Sequence, residues 1–397
     1  MRILILEPHL SGHHAAYLRW LLEATSRRGW ATVLATSSAA EEQSVLRNVL
    51  TDFNHVELHP IERQSNHQRV AKGVWSLLAR DLQFRKMFRI ATKRAGISRR
   101  IDGVLLPYLD YSFYSIAMLG APFGRIPWCA ISMRLAVPRE ASEHPSLMPC
   151  KWRLAMRMLR DEQLRALFVI NPSVARLPTA WCPPALRPKL VYLPDPARLE
   201  GGGDRDGFRT NLGIAPAAVV ILVLGAIDER KGVDILIDCL ASDPTLNAYS
   251  VVVAGRVAED VRSYLKSPAP LALSARRRLF VIDRFLDDRE LTHCLYGADA
   301  VWLGYTKHNY MSGVLVLAGM AGLPVIGTSN GEIGHITESC EVGISVDVKR
   351  TDDLAAGLRR LLDSETRRFM GSQGRKAFAG HTVENFGGLV LDAFATL

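Results

Sequence analysis

Short apolar runs alternate with longer amphipathic ones, and the rhythm occurs twice along the chain. Residues 2–6 carry four consecutive apolar side chains, Ile3 to Leu6, as a strand buried on both faces requires. After a polar turn, residues 15–28 place Leu18, Leu21 and Leu22 on one side of a helix that Gly29 stops, and 31–35 is a second strand. Strand, loop, helix, strand within 35 residues is a βαβ unit and predicts a parallel sheet. Further strands are predicted over 103–106, 128–132, 167–170 and 190–193. Basic helical windows over 69–95 and 150–165 fall between them.

The sequence PDPARLEGGGDRDG over 194–207 breaks this rhythm with glycines, two prolines and alternating charges, and reads as a linker. The rhythm then restarts. Strands are expected over 219–224, 249–254, 279–282, 300–304 and 324–327, with helices over 233–240 and 313–321 and a last helix over 383–394. The pattern predicts an α/β fold of two doubly wound domains with a cleft between them. The expected domains are residues 1–193, the linker 194–207, and 208–378. The C-terminal segment 379–397 is expected to pack back onto the first domain.

At 48% apolar and 22% charged residues, the composition excludes global disorder and collagen. The six cysteines form no CxxC pair, which suits reduced thiols and a cytoplasmic protein. The longest apolar stretch, 314–327, is 14 residues, is interrupted by Gly319, Gly322 and Pro324, and ends at Gly327. A spanning helix needs about 20. The four-residue apolar run at the start is shorter than the ~7 residues of a signal peptide.

Charge is unevenly placed within the net +9. Residues 1–194 hold 27 basic and 14 acidic side chains, and 195–397 hold 22 and 26. The window 63–100 alone has 11 basic residues and one acid, Asp81, interleaved with Leu77, Leu82, Trp75, Phe84 and Phe88. Such a stretch suits the anionic cytoplasmic face of a membrane or, equally, a solvated helix. No RNA-binding signature or helix-turn-helix points to nucleic acid.

The densest candidate chemistry is VVILVLGAIDERKGVDILIDCL over 219–240. A buried strand feeds a turn with Arg230 and Lys231, and a helix starts behind Gly232. Helix-start N–H groups and two cations suit an anion. No metal site is expected. His13 and His14 are adjacent, and His55 and His59 lie about 13 Å apart on a strand. Asp204-x-Asp206 falls in the linker.

This stretch resembles the GT-B retaining glycosyltransferases of family 4. Gly225, Lys231, Gly232, Asp234 and Leu236 match their donor-diphosphate turn, G-x5-K-G-x-D-x-L. The likeness continues through VVVAG at 251–255, FLDDRELTHCLYGADAVW at 285–302 and AGLPVI at 321–326. In the first half, Ser11, Gly12, His13, His14 and Tyr17 resemble the family's G-G-H-x-x-Y loop. The chain resembles a variant without the usual Glu-x7-Glu pair, whose places fall on Asn309 and Leu317. An SGVL stretch occupies that region instead. Where the family often has a histidine after a first-domain strand, this chain has Ser132, Met133 and Arg134.

The resemblance implies two nucleotide-binding-type domains and transfer of a sugar, with retention, from a nucleotide-sugar donor to a glycan or lipid-linked acceptor. It assigns the departing diphosphate to Arg230 and Lys231, and the donor to Gly12, His13, Gly225, Asn309, Ser312, Gly313 and Val314. His14, Asp110 and Arg134 are acceptor-side candidates. No cofactor is implied, since the nucleotide-sugar is a substrate. The alternatives are an inactive scaffold or partner subunit, and a sugar-nucleotide epimerase on the same fold.

Overall fold

A computed structural model describes residues 1–10, 13–37, 43–53, 55–61, 74–135, 137 and 148–395. They divide into two compact units, one of residues 1–194 with 383–397, the other of 195–382.

The first unit is built on seven strands: β1 (Arg2–Glu7), β2 (Ala31–Ser37), β3 (Glu57–Ile61), β4 (Gly103–Leu106), β5 (Trp128–Ser132), β6 (Leu164–Val169) and β7 (Leu190–Tyr192). All pair in parallel, in the order β3-β2-β1-β4-β5-β6-β7. Every residue of β1, β4 and β5 is buried, because helices cover both faces of the sheet. Strand order reverses direction between β1 and β4. The ends of those two strands therefore open outward, as they do in doubly wound folds that bind ligands there.

The helix Val383–Ala395 belongs to this first unit, although half the chain separates it from the rest. Gly387 makes the contact close, since a Cβ there would lie 2.5 Å from the Ala24 Cβ. Phe394 fills the space beside Gly103, and Arg28 meets Asp392 at 2.6 Å.

The second unit has six parallel strands: β8 (Val219–Leu224), β9 (Tyr249–Ala254), β10 (Leu279–Ile282), β11 (Ala300–Leu303), β12 (Val325–Thr328) and β13 (Gly343–Val346). Their order is β10-β9-β8-β11-β12-β13, so direction reverses between β8 and β11. The segment read as a linker runs into structure: Arg205–Leu212 is a helix, and Asp204 caps it by accepting from the Gly207 N–H. Asp204 therefore acts as a helix cap. Glycines and alternating charges mimic a linker because good cap residues and flexible residues overlap in type.

No helix among the described residues is long and apolar enough to cross a membrane. None of the six cysteines is in a disulfide.

Candidate active site

In the second unit, β8 delivers the chain to Gly225, whose φ of +103° favours glycine. One 3₁₀ turn, Glu229–Lys231, follows, and Gly232 in the left-handed region starts the helix Val233–Ser242. Gly255, at the end of β9, must also lack a side chain. A Cβ there would lie 1.8 Å from the Gly225 carbonyl oxygen. The two strand ends are thus pressed together beneath the turn.

That turn buries Lys231 to 4% exposure. Its Nζ donates to the Leu224 carbonyl at 3.0 Å and to Tyr305 Oη, and it stands 4.2 Å from the centroid of the Tyr305 ring. Trp302 Nε1 ties the Lys231 carbonyl at 2.7 Å. Two of the three ammonium N–H groups are engaged, and the third has no partner among the described residues. A Cβ on Gly225 would lie 3.7 Å from Lys231 Nζ and 3.9 Å from Val314 Cγ2, so these three residues meet at one corner.

Arg230 lies beside them. Its guanidinium sits 5.5 Å from the Tyr305 ring centroid, donates to His308 Nδ1 at 3.2 Å and stands 3.6 Å from Asp228. Burial, and then the Arg230 charge, hold His308 below the usual histidine pKa. A neutral ring that accepts at Nδ1 carries its proton on Nε2, which faces the Met311 carbonyl at 3.4 Å.

Ser312 caps the nine-residue helix Gly313–Ala321 with its backbone, not its hydroxyl. Gly313 is exposed and Val314 half-buried. Asp195 is the nearest described group to Gly313, its Oδ2 3.9 Å from where a Cβ would stand. Asn309 is exposed and meets the rest of the unit through its backbone, its carbonyl accepting from Glu332 N–H at 3.4 Å. Leu317 packs against the apolar cluster under β8, β11 and β12. The structure therefore brings Gly225, Arg230, Lys231 and Val314 together, and leaves the Asn309 side chain in solvent.

In the first unit, Gly12 lies outside the described residues, as does the side chain of His13. His14 is buried in the first turn of the helix His13–Arg27. Its Nδ1 lies 3.2 Å from Glu7 Oε2 and its Nε2 3.2 Å from Tyr111 Oη. Burial first, then Tyr108, pushes the Tyr111 phenol up to about 12, so it stays an O–H donor. The consistent arrangement has Tyr111 donating to Nε2 and Nδ1–H donating to the buried Glu7 carboxylate. The rings of His9, Tyr108 and Phe84 complete an aromatic corner around them.

Asp110 sits beyond β4. Its carboxylate accepts from Ser132 Oγ at 3.1 Å, Met133 N–H at 2.7 Å and Lys151 Nζ at 3.2 Å. Arg134 is exposed and hydrogen-bonds Tyr108. Glu7, His14, Asp110 and Arg134 thus gather at the carboxyl ends of β1, β4 and β5.

Sequence reasoning passed over Tyr305, His308, Glu7 and Tyr111. Each lies within five residues of the end of β11, β1 or β4, at the two reversals of strand order. That position is the signal that would have found them. Among the described residues, no three His, Cys, Asp or Glu side chains cluster as a metal site would need.

Residues 204–377 match the family described as glycosyl transferases group 1. A D-inositol 3-phosphate glycosyltransferase of Rhodococcus opacus is 27% identical over 176 residues, 42% of this chain and 38% of that protein. One from Actinosynnema mirum is 30% identical over 200 residues, 48% of this chain and 45% of its own length. The chain thus spans less than half the length of these relatives. Among solved structures, Anabaena HepE in complex with UDP has a TM-score of 0.69 at 16% identity, covering all of both chains. The sucrose-phosphate synthase of Thermosynechococcus elongatus has a TM-score of 0.68 at 16% identity, also over all of both chains. These likenesses establish the expected GT-B fold of two parallel-sheet α/β domains.

Proposed function

We propose that this chain, whose residues 204–377 match the glycosyl transferases group 1 family, transfers a sugar from a nucleotide-sugar donor to an acceptor hydroxyl. The observation that carries the proposal is the Lys231 ammonium. It is buried, fixed by Leu224 and Tyr305, and keeps one N–H unengaged among the described residues beside Gly225. A point charge held there stabilises the negative charge that grows on a departing diphosphate. Arg230 adds a second cation. The N–H groups of Gly313 and Val314, unsatisfied within their helix, suit a phosphate oxygen. Charge neutralisation falls to these residues in this reading, with no metal cofactor. Retention of configuration follows from the resemblance to retaining enzymes. HepE bound to UDP, and to UDP-glucose in another structure, makes uridine diphosphate sugars the first donors to test.

The corner of Glu7, His14, Tyr111 and Asp110 in the first unit is the acceptor side in this reading. Aromatic faces with polar tips suit a saccharide, which offers both C–H faces and hydroxyls. The acceptor is a glycan or a lipid-linked saccharide.

A second reading, an inactive partner subunit, is favoured by one observation: Leu317 presents a packed apolar side chain where resembling enzymes carry a Glu. Release of nucleoside diphosphate from a panel of nucleotide-sugars separates the two. The transferase reading expects turnover with one donor and its loss in Lys231→Ala. No release with any donor supports the inactive subunit.

A further inference from the structure

Three helices of the first unit, Val74–Ser98, Phe113–Leu119 and Cys150–Leu159, carry nine Lys or Arg residues and one acid, Asp81. Asp81 is buried at 4% exposure. Its two oxygens take the N–H groups of Tyr114 and Ser115 and cap the second helix. The three helices therefore present no negative charge to solvent.

On the long helix, Phe84, Phe88, Ala91 and Ala95 enter the core. Leu82, Lys86, Arg89, Ile90, Lys93 and Ile97 follow the spacing i, i+4, i+7, i+8, i+11, i+15 and are all exposed. This outward face mixes aliphatic and basic side chains. Of the fifteen large hydrophobic residues exposed among the described ones, seven lie on this helix and its neighbour: Leu77, Leu82, Ile90, Ile97, Tyr114, Met118 and Leu119.

The end of Phe113–Leu119 is unusual in how its carbonyls are satisfied. Arg157 donates to the Met118 carbonyl at 3.0 Å, and Arg85 to those of Leu119 and Gly120 at 3.1 and 3.0 Å. A helix end normally leaves such carbonyls to water. Here two guanidinium groups from flanking helices take them, while Met118 and Leu119 are 40% and 58% exposed. A backbone whose polar groups are satisfied internally can enter a medium poor in water.

We propose that this three-helix surface docks on an anionic lipid bilayer, with the basic residues at the phosphates and Met118 and Leu119 as a shallow apolar wedge. Charge complementarity selects a polyanion. The interleaved aliphatics select a bilayer over an acidic protein, which would leave them exposed to water. Nucleic acid would use stacking aromatics, and among the residues of these helices whose side chains are described Tyr114 is the one exposed aromatic. The proposal does not depend on the transferase reading, because vesicle binding is measured without substrate.

The test is co-sedimentation of the full chain with phosphatidylcholine vesicles, with and without phosphatidylglycerol, plus penetration of a phosphatidylglycerol monolayer. Wild type is expected to bind only anionic vesicles and to weaken with salt. Replacing Lys86, Arg89 and Lys93 by Gln should lower partitioning roughly 100-fold, the effect of three basic groups near the surface. Met118→Gln with Leu119→Gln should keep binding at low salt but lose monolayer penetration. Both variants alter exposed side chains, and unchanged circular dichroism shows that they fold. Equal binding to neutral and anionic vesicles overturns the proposal. So does unchanged penetration in the Met118/Leu119 variant, or tighter binding to single-stranded RNA than to anionic vesicles.

Discussion

Lys231 Nζ both donates to Tyr305 Oη and stands 4.2 Å from the centroid of the same tyrosine ring. The two residues lie 74 positions apart, one after β8 and one after β11, where strand order reverses. One side chain thereby fixes the height and direction of a buried cation. Arg230, 5.5 Å from the same ring centroid, is oriented by it too.

Tyr305→Phe keeps the ring and removes the hydroxyl. It should cost about 1 kcal/mol of stability for the lost hydrogen bond. It should also lower donor kcat/KM by less than Lys231→Ala, which removes the cation itself and should lower it by ~10²-fold or more. Steady-state kinetics of both variants check the order. Equal rates in Lys231→Ala and wild type would remove Lys231 from the donor site.

Gly313 opens its helix with only Asp195 Oδ2 near its Cβ position. Gly313→Val should therefore fold with an unchanged melting temperature. The branched side chain should block close approach of a phosphate to the helix start and abolish nucleotide binding. Calorimetric titration of the variant with the nucleotide that binds wild type checks this, and retained affinity would place the phosphate elsewhere.

In the first unit, Glu7 fixes the proton position of His14, and Tyr111 holds the other ring nitrogen. Tyr111→Phe and Glu7→Gln should leave nucleotide binding to the second unit intact. Each should lower transfer to acceptor roughly tenfold, the effect of about 1.4 kcal/mol of lost orientation. Nucleotide affinity and transfer rate, measured on the same preparation, separate the two effects. A parallel loss of both would assign these residues to the fold.

Much of the architecture was legible because buried parallel strands are short apolar runs. The bounds expected over 103–106, 128–132, 219–224, 249–254 and 279–282 are those observed. The edge strand β13 escaped because GISV, with half-buried Gly343 and Ser345, carries too little apolar signal. The turn with Arg230 and Lys231 was legible because consecutive residues form it. Tyr305 was not, since only the pairing of β8 with β11 brings it to Lys231. The basic count over 63–100 was legible too, but not the burial of its single acid. That required seeing Asp81 cap a helix more than 30 residues away.

Burial holds His381 below its ordinary pKa, and its Nδ1 faces the Asp195 carbonyl at 2.8 Å. His308 is shifted the same way. A depressed histidine makes the unfolded chain bind more protons than the folded one below about pH 6.5. The stability these residues contribute is therefore complete above that pH and is lost as pH falls through it. His381→Asn keeps a donor for the Asp195 carbonyl without a titrating ring. The drop in melting temperature from pH 7.5 to 5.5 should be smaller in this variant than in wild type, as differential scanning calorimetry would show.

In the proposed function Lys231 holds the diphosphate of a nucleotide-sugar donor. The thermal shift of the full chain with UDP, GDP, ADP and dTDP, run beside Lys231→Ala, tests this. A diphosphate that binds only the native state adds about 2.7 kcal/mol at 100-fold over its Kd. A clear rise in melting temperature is expected with one of the four in wild type, and none in Lys231→Ala. No shift with any diphosphate, or an equal shift in both proteins, would contradict it.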